Sequence, residues 1–313
     1  MLLILVVGLC TSLVSSFTVS GLSSGGFFST QFHVAFSSSV TGAAIIAGGP
    51  YYCSQGSQTN AEIACMSSPA LLNLNACINE AQKNAAAGSI DSLTNLAKAS
   101  VYIFSGSRDT VVNPGVVKDT VQFYQKFVTS GTIVSNFTVP AEHSWVTNSY
   151  KNKCAYLGSP YMNNCNFDTS GAFLNQFYPN LNPKTVFNPN NLLTFDQSTY
   201  GDISSASMSK TGYVYVPTGC KSTTCNIHIA FHGCQQSAET VGKDFVSYTG
   251  LNDWAESNNI VVIYPQLTTE MLKNPEGCWD FWGYTGNNFA LKTGKQMSIV
   301  YSMSQKVPGV EWF

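Results

Sequence analysis

The sequence predicts an α/β fold, a mostly parallel sheet flanked by helices, and three observations carry that expectation. Short apolar runs bounded by Gly, Ser and Asn alternate with stretches of helical spacing along most of the chain. One of these runs feeds a glycine-rich turn, Gly21-Leu22-Ser23-Ser24-Gly25-Gly26, which opens into a helical stretch. With an apolar leader set aside, about 300 residues remain, enough for one large domain that buries about three quarters of its unfolded surface.

The leader, residues 1–16, reads MLLILVVGLCTSLVSS. It is too short to span a bilayer comfortably and ends in small residues that signal peptidases accept, so it is read as a removed secretory signal, although no basic residue stands near its start. Residues 17–21 read as a strand, and residues 27–36, after the glycine-rich turn, as a helix. A strand over 42–47, a cysteine-bearing excursion over 51–87 and a buried strand over 101–105 follow, the last running into Gly106-Ser107-Arg108-Asp109. Residues 116–128 have helical spacing, and 133–139 alternate as a strand ahead of Ala141-Glu142-His143.

Residues 149–209 are rich in Asn, Pro, Tyr and Ser with weak periodicity and read as loops packed over the sheet. Strands over 212–216 and 227–231 come next, the second leading into His232-Gly233-Cys234-Gln235-Gln236. A helix over 244–258, a strand over 260–264 and a helix over 296–306 complete the alternation, so residues 17–313 read as a single domain. Nothing after the leader is long and apolar enough to cross a membrane.

Charged residues make up 10% of the chain and the net charge is -2, which leaves no electrostatic reason to expect nucleic acid or an anionic membrane as partner. The expected substrate is neutral, and the expected state is a monomer. Discarding Cys10 with the leader leaves Cys53, Cys65, Cys77, Cys154, Cys165, Cys220, Cys225, Cys234 and Cys278, a content that points to an oxidising compartment. Zinc is disfavoured because the cysteines form no CxxC pair. Short loops such as Cys220 to Cys225 and Cys154 to Cys165 read as local disulfides. The odd total leaves a free thiol, which we assign to Cys77. The sequon Asn136-Phe137-Thr138 fits secretion and N-glycosylation.

A serine hydroxyl is a poor nucleophile until a neighbouring imidazole takes its proton, and a strained Gly-x-Ser-x-Gly turn between strand and helix lifts that hydroxyl clear of a sheet. Ser23 occupies that position. Asp109 ends an apolar strand, and His143 follows one helix and one strand later. The order Ser, acid, His is that of α/β-hydrolases. Taken singly, an Asp in such a turn caps a helix and a loop His lies on the surface, so the order and the strand ends carry the assignment. Of the four histidines, His33 on the helix after Ser23 and His228 within a strand read as packing residues. His232-Gly233 resembles a loop that supplies an oxyanion hole, whose donors would be the amides of Ser24 and Cys234. The oxyanion strand ordinarily precedes the nucleophile strand, yet here it follows. The chain therefore reads as a circularly permuted α/β-hydrolase.

Four strings, Ser-Gly-Leu-Ser-Ser-Gly-Gly (20–26), Gly-Gly-Pro-Tyr-Tyr-Cys (48–53), Phe-His-Gly-Cys (231–234) and Gly-Cys-Trp-Asp-Phe-Trp (277–282), together resemble the extracellular polyhydroxybutyrate depolymerases, most closely their single-domain, circularly permuted type. The likeness covers nearly the whole chain after the leader. It implies Ser23 as nucleophile, Asp109 as acid, His143 as base and the Ser24 and Cys234 amides as oxyanion donors, in agreement with the residue-level reading. It also implies a tryptophan lining an apolar polyester groove, with Trp279 the first candidate and Trp282 the alternative, and a Cys234–Cys278 disulfide pinning that loop. The separate binding domain and threonine-rich linker of many bacterial members are not found in this sequence. The expected activity is hydrolysis of 3-hydroxyalkanoate esters through an acyl-enzyme. A feruloyl or acetyl carboxylesterase and a non-catalytic binding protein are the competing readings. Neither metal nor organic cofactor is needed for this chemistry.

Overall fold

The computed structural model describes residues 16–221 and 224–306. The leader read over residues 1–16 lies, apart from Ser16, outside them. Among the described residues no helix is long and apolar enough to cross a membrane.

Among the described residues eleven strands run in chain order: β1 Phe17–Leu22, β2 Val40–Ile46, β3 Ser100–Phe104, β4 Thr132–Asn136, β5 Trp145–Thr147, β6 Asn152–Lys153, β7 Met162–Asn164, β8 Leu192–Asp196, β9 Thr211–Tyr215, β10 Asn226–Phe231 and β11 Ile260–Tyr264. Eight of them form one sheet in the order β4-β3-β2-β1-β10-β11-β9-β8, and β5-β7-β6 form a small second sheet. The six strands from β4 to β11 are mutually parallel, while β9 pairs antiparallel with both β11 and β8. Strands β1, β2, β10 and β11 are buried on both faces, apart from Thr41 and Asn226, because helices cover both sides.

The first strand lies in the middle of the sheet. Its register Thr18↔His228 through Gly21↔Phe231 sets the turn after β1 beside the loop after β10. The C-terminal helix Lys295–Gln305 returns to the start of β1, with Tyr301 6.5 Å from Phe17 and stacked on Phe36 at 4.3 Å. A continuous chain could pass from that helix into β1, as expected of a hydrolase sheet cut ahead of its nucleophile strand.

Two expectations need correction. The stretch 149–209 is not only loop: β8 lies within it and extends the main sheet along an edge, and it also carries the helix Thr169–Phe177. The helix expected over 244–258 is two, Asp244–Tyr248 and Leu251–Asn258, broken at Thr249-Gly250. Within the excursion 51–87, the residues Leu74–Ala86 form a full helix, N-capped by Asn73, whose side chain accepts from the Ala76 amide.

Disulfides join Cys53–Cys65, Cys154–Cys165, Cys220–Cys225 and Cys234–Cys278, and Cys77 is a buried free thiol.

Three imidazoles are fully buried. His33 meets the Tyr124 hydroxyl at 3.0 Å, His228 lies 2.7 Å from both Thr18 Oγ1 and Ser20 Oγ, and His232 sits at the end of β10. Burial pushes His33 and His228 down to about 3 and His232 to about 4. Unfolded, each titrates near about 6.5, so the folded form resists protonation. Their contribution to stability is complete above that value and is lost as pH falls toward the folded values, because unfolding then takes up three protons. Between about pH 4 and 6 stability should fall by up to roughly 4 kcal/mol per pH unit. Urea melts at pH 7, 6 and 5 check this, and a pH-independent midpoint would contradict neutral burial of the three rings.

Candidate active site

Ser23 stands between β1 and the helix α1, Ser24–Ala35, which begins directly behind it and not at residue 27 as the sequence suggested. Its backbone is left-handed, φ 58° and ψ -124°, a strained state for a residue with a side chain. The neighbouring glycines allow it. A Cβ on Gly21 would lie 2.1 Å from the Gly25 carbonyl oxygen, and one on Gly25 would lie 2.4 Å from that of His232. The turn can therefore close only with hydrogen at both positions. The Ser23 amide donates to the Ile46 carbonyl at 2.9 Å, tying the turn to the end of β2.

Asp109 and His143 meet across the ends of β3 and β4. His143 Nδ1 lies 2.8 Å from Asp109 Oδ2, and both side chains are buried. A carboxylate only accepts, so Nδ1 carries a proton, and in the neutral ring Nε2 keeps a free lone pair. Asp109 Oδ1 accepts the amides of Val111 and Val112, each at 2.9 Å, which fixes the carboxylate plane. Ser23 and His143 line one cavity of about 530 Å³. No hydrogen bond joins the Ser23 hydroxyl to the ring in this geometry; such contacts are often long before substrate arrives.

The loop after β10 packs against this turn. His232 Nδ1 donates to the Gly233 carbonyl at 2.7 Å, and its Nε2 accepts the Leu267 amide at 3.3 Å, which sets one neutral tautomer. In a trans peptide the carbonyl and the following N–H point oppositely. With the Gly233 carbonyl held toward the ring, the Cys234 N–H is turned away from it. Among the described residues, neither that amide nor the Ser24 amide has a protein acceptor. The disulfide to Cys278 and the Gln235 amide, which donates to Glu276 O at 2.7 Å, anchor the same loop.

Trp279 is not in the cavity. It is fully buried against Phe28 at 4.6 Å, Phe231 at 5.0 Å and His232 at 5.7 Å. The Cys278 disulfide and the bond from its own amide to Ser24 Oγ, 3.2 Å, turn it inward onto α1. Trp282 lines the cavity instead, with Phe281 beside it. Its loop is held by the buried Asp280 carboxylate, which accepts the amides of Trp282, Gly283, Tyr284 and Thr285 and the Thr285 hydroxyl.

Sequence reasoning missed Asp280 and Gln236, though both lie inside or beside quoted strings. Gln236 Oε1 accepts the Gly233 amide at 2.8 Å while its Nε2 donates to the carbonyls of Pro160 and Tyr161, bracing the loop after β10 against the segment of Tyr161, which also lines the cavity. A turn-forming polar residue followed by several amides within five positions is the signal that could have found Asp280.

No family model matches the chain. It is 40% identical over 296 residues to a poly(3-hydroxybutyrate) depolymerase of Delftia acidovorans, covering 93% of this chain and 59% of that protein's length. It is 35% identical over 317 residues to a polyhydroxybutyrate depolymerase of Talaromyces funiculosus, covering 95% of this chain and 91% of that protein. Among solved structures, a serine-to-alanine PHB depolymerase complexed with an R3HB trimer superposes with a TM-score of 0.87 at 32% identity, covering 95% of this chain and 97% of the other. The crystal structure of PHB depolymerase from Penicillium funiculosum gives a TM-score of 0.86 at the same identity and coverage.

Proposed function

The chain belongs to the polyhydroxybutyrate depolymerase family, and from that premise we propose that it hydrolyses poly(3-hydroxybutyrate) or its oligomers through an acyl-enzyme at Ser23. The observation that carries the reading is the Asp109–His143 pair, which leaves Nε2 free as a base in the cavity that Ser23 also lines. Nε2 takes the Ser23 proton as Oγ attacks the ester carbonyl. The amides of Ser24 and Cys234 receive the oxyanion. Collapse breaks the ester C–O bond, and the imidazolium returns its proton to the departing hydroxyl end. Water then attacks the acyl-serine with His143 again as base, releasing a carboxylic acid and free Ser23.

An apolar wall suits a neutral polyester, and Trp282 is the aromatic surface we assign to it. Trp282→Ala should raise KM about ten- to a hundredfold, the ~1.5–3 kcal/mol of one buried apolar side chain, with a smaller change in kcat. Trp279→Ala should instead lower stability by about 3–5 kcal/mol. Steady-state kinetics and urea melts of the two variants check this, and the opposite pattern would contradict the assignment.

Four disulfides support passage through an oxidising compartment. The reading is accordingly a secreted monomer, with residues 1–16 removed and a glycan on Asn136.

Turnover of (R)-3-hydroxybutyrate oligomers against feruloyl and acetyl esters tests the substrate class. We expect kcat/KM to favour the oligomers by more than about tenfold, the lower end of what one methylene in an apolar pocket discriminates. Faster turnover of feruloyl or acetyl esters would make the protein a carboxylesterase of that type, and no turnover of any ester would favour a binding protein.

A further inference from the structure

Glu142 joins the two loops that carry the acid and the base, and neither the motif reading nor the chemistry above uses it. Its Oε2 accepts the His143 amide at 2.7 Å and the Thr110 amide at 3.1 Å. Its Oε1 accepts the Thr110 hydroxyl at 2.6 Å. Thr110 follows Asp109 directly, and the next two amides, Val111 and Val112, are those that hold Asp109 Oδ1. Three successive amides of the acid loop are thus taken by two carboxylates, one of them belonging to the neighbour of the base.

Glu142 is itself anchored, its amide donating to Cys154 O at 3.0 Å next to the Cys154–Cys165 disulfide. Without the side chain, the other backbone ties between the loops are the Ser107 amide to Val139 O and the Arg108 amide to Ala141 O, both on the strand side of the pair. No other backbone hydrogen bond among the described residues would then tie residue 110 to residue 143.

We propose that Glu142 is a positioning residue that sets the Asp109–His143 distance by clamping Thr110 to the backbone of His143. The inference rests on the triad reading. A glutamine at 142 preserves every contact: its carbonyl oxygen accepts the two amides, and its NH₂ donates to the Thr110 hydroxyl, which reverses from donor to acceptor. An alanine removes all three, and Thr110→Val removes the hydroxyl arm alone.

The test compares the wild-type chain with Glu142→Ala, Glu142→Gln, Thr110→Val and Ser23→Ala on one soluble hydroxybutyrate oligomer. It also follows the downfield proton NMR resonance of the Asp109–His143 hydrogen bond. We expect Glu142→Ala to lower kcat by about ten- to a hundredfold, the scale of a misplaced catalytic group, with KM within about twofold and the resonance lost. Glu142→Gln should restore kcat to within about twofold of wild type and keep the resonance. Thr110→Val should fall between, and it serves as the reporter if the alanine variant does not fold. Folded variants with wild-type kcat and resonance overturn the clamp, as does a glutamine variant as slow as the alanine one. If Ser23→Ala keeps its activity, the triad reading fails and the clamp with it. If Ser23→Ala is inactive while Glu142→Ala and Thr110→Val are normal, only the clamp fails.

Discussion

Ser23→Ala should lower kcat on hydroxybutyrate oligomers by about 10⁴-fold or more, with KM little changed. The hydroxyl is the only atom lost, and the turn that presents it is fixed by Gly21, Gly25 and the Ile46 carbonyl, so the fold should survive. A residual rate above that of water should persist, because the Ser24 and Cys234 amides, as the proposed oxyanion donors, would still polarise a bound ester. Initial rates by product titration, with a circular-dichroism melt as control, measure it. Retention of more than about a hundredth of wild-type kcat in a folded variant would move the nucleophile away from Ser23.

Asp109→Asn should cost about 10⁴-fold in kcat through a change of tautomer, and the structure dictates the direction. The amides of Val111 and Val112 both donate to Oδ1, so the asparagine carbonyl must occupy that position. Its NH₂ then faces His143 Nδ1, which has to accept. The imidazole proton moves to Nε2 and removes the lone pair that takes the serine proton. Kinetics of the variant test this, with an unchanged melting midpoint separating it from a folding defect. A loss below about tenfold would mean that the acid does not set the tautomer.

Much of this architecture can be read along the chain. The strand at 260–264 is where it was expected, and the order Ser23, Asp109, His143 names three residues whose loops meet at one edge of the sheet. The information is local there: apolar runs of strand length end in turns of Gly, Ser and Asp. The parts that were not legible depend on contacts between distant segments. β8, Leu192–Asp196, is a half-exposed edge strand with little pattern of its own, and its pairing with β9 defines it. α1 begins at Ser24 although Gly25 and Gly26 are poor helix formers, because Gly25 packs against the carbonyls ending β10.

The choice between Trp279 and Trp282 turned on which ring faces inward. That is decided by the disulfide at Cys278 and by Ser24 Oγ, which lies more than half the chain away. Glu142 and Gln236 were in view as neighbours of named residues, but a side chain that braces two loops has no one-dimensional signature. Their hydrogen bonds can be recognised only once the loops are placed.

Catalysis in this account depends on a covalent ester at one serine, so the direct measurement is to trap it. Mixing the protein with a hydroxybutyrate oligomer, quenching in acid within the first turnover and mapping peptides by mass spectrometry should find a hydroxybutyryl increment on the peptide carrying Ser23, absent in Ser23→Ala. An increment on a different residue, or steady hydrolysis with no acylated peptide under rapid quench, would contradict the account.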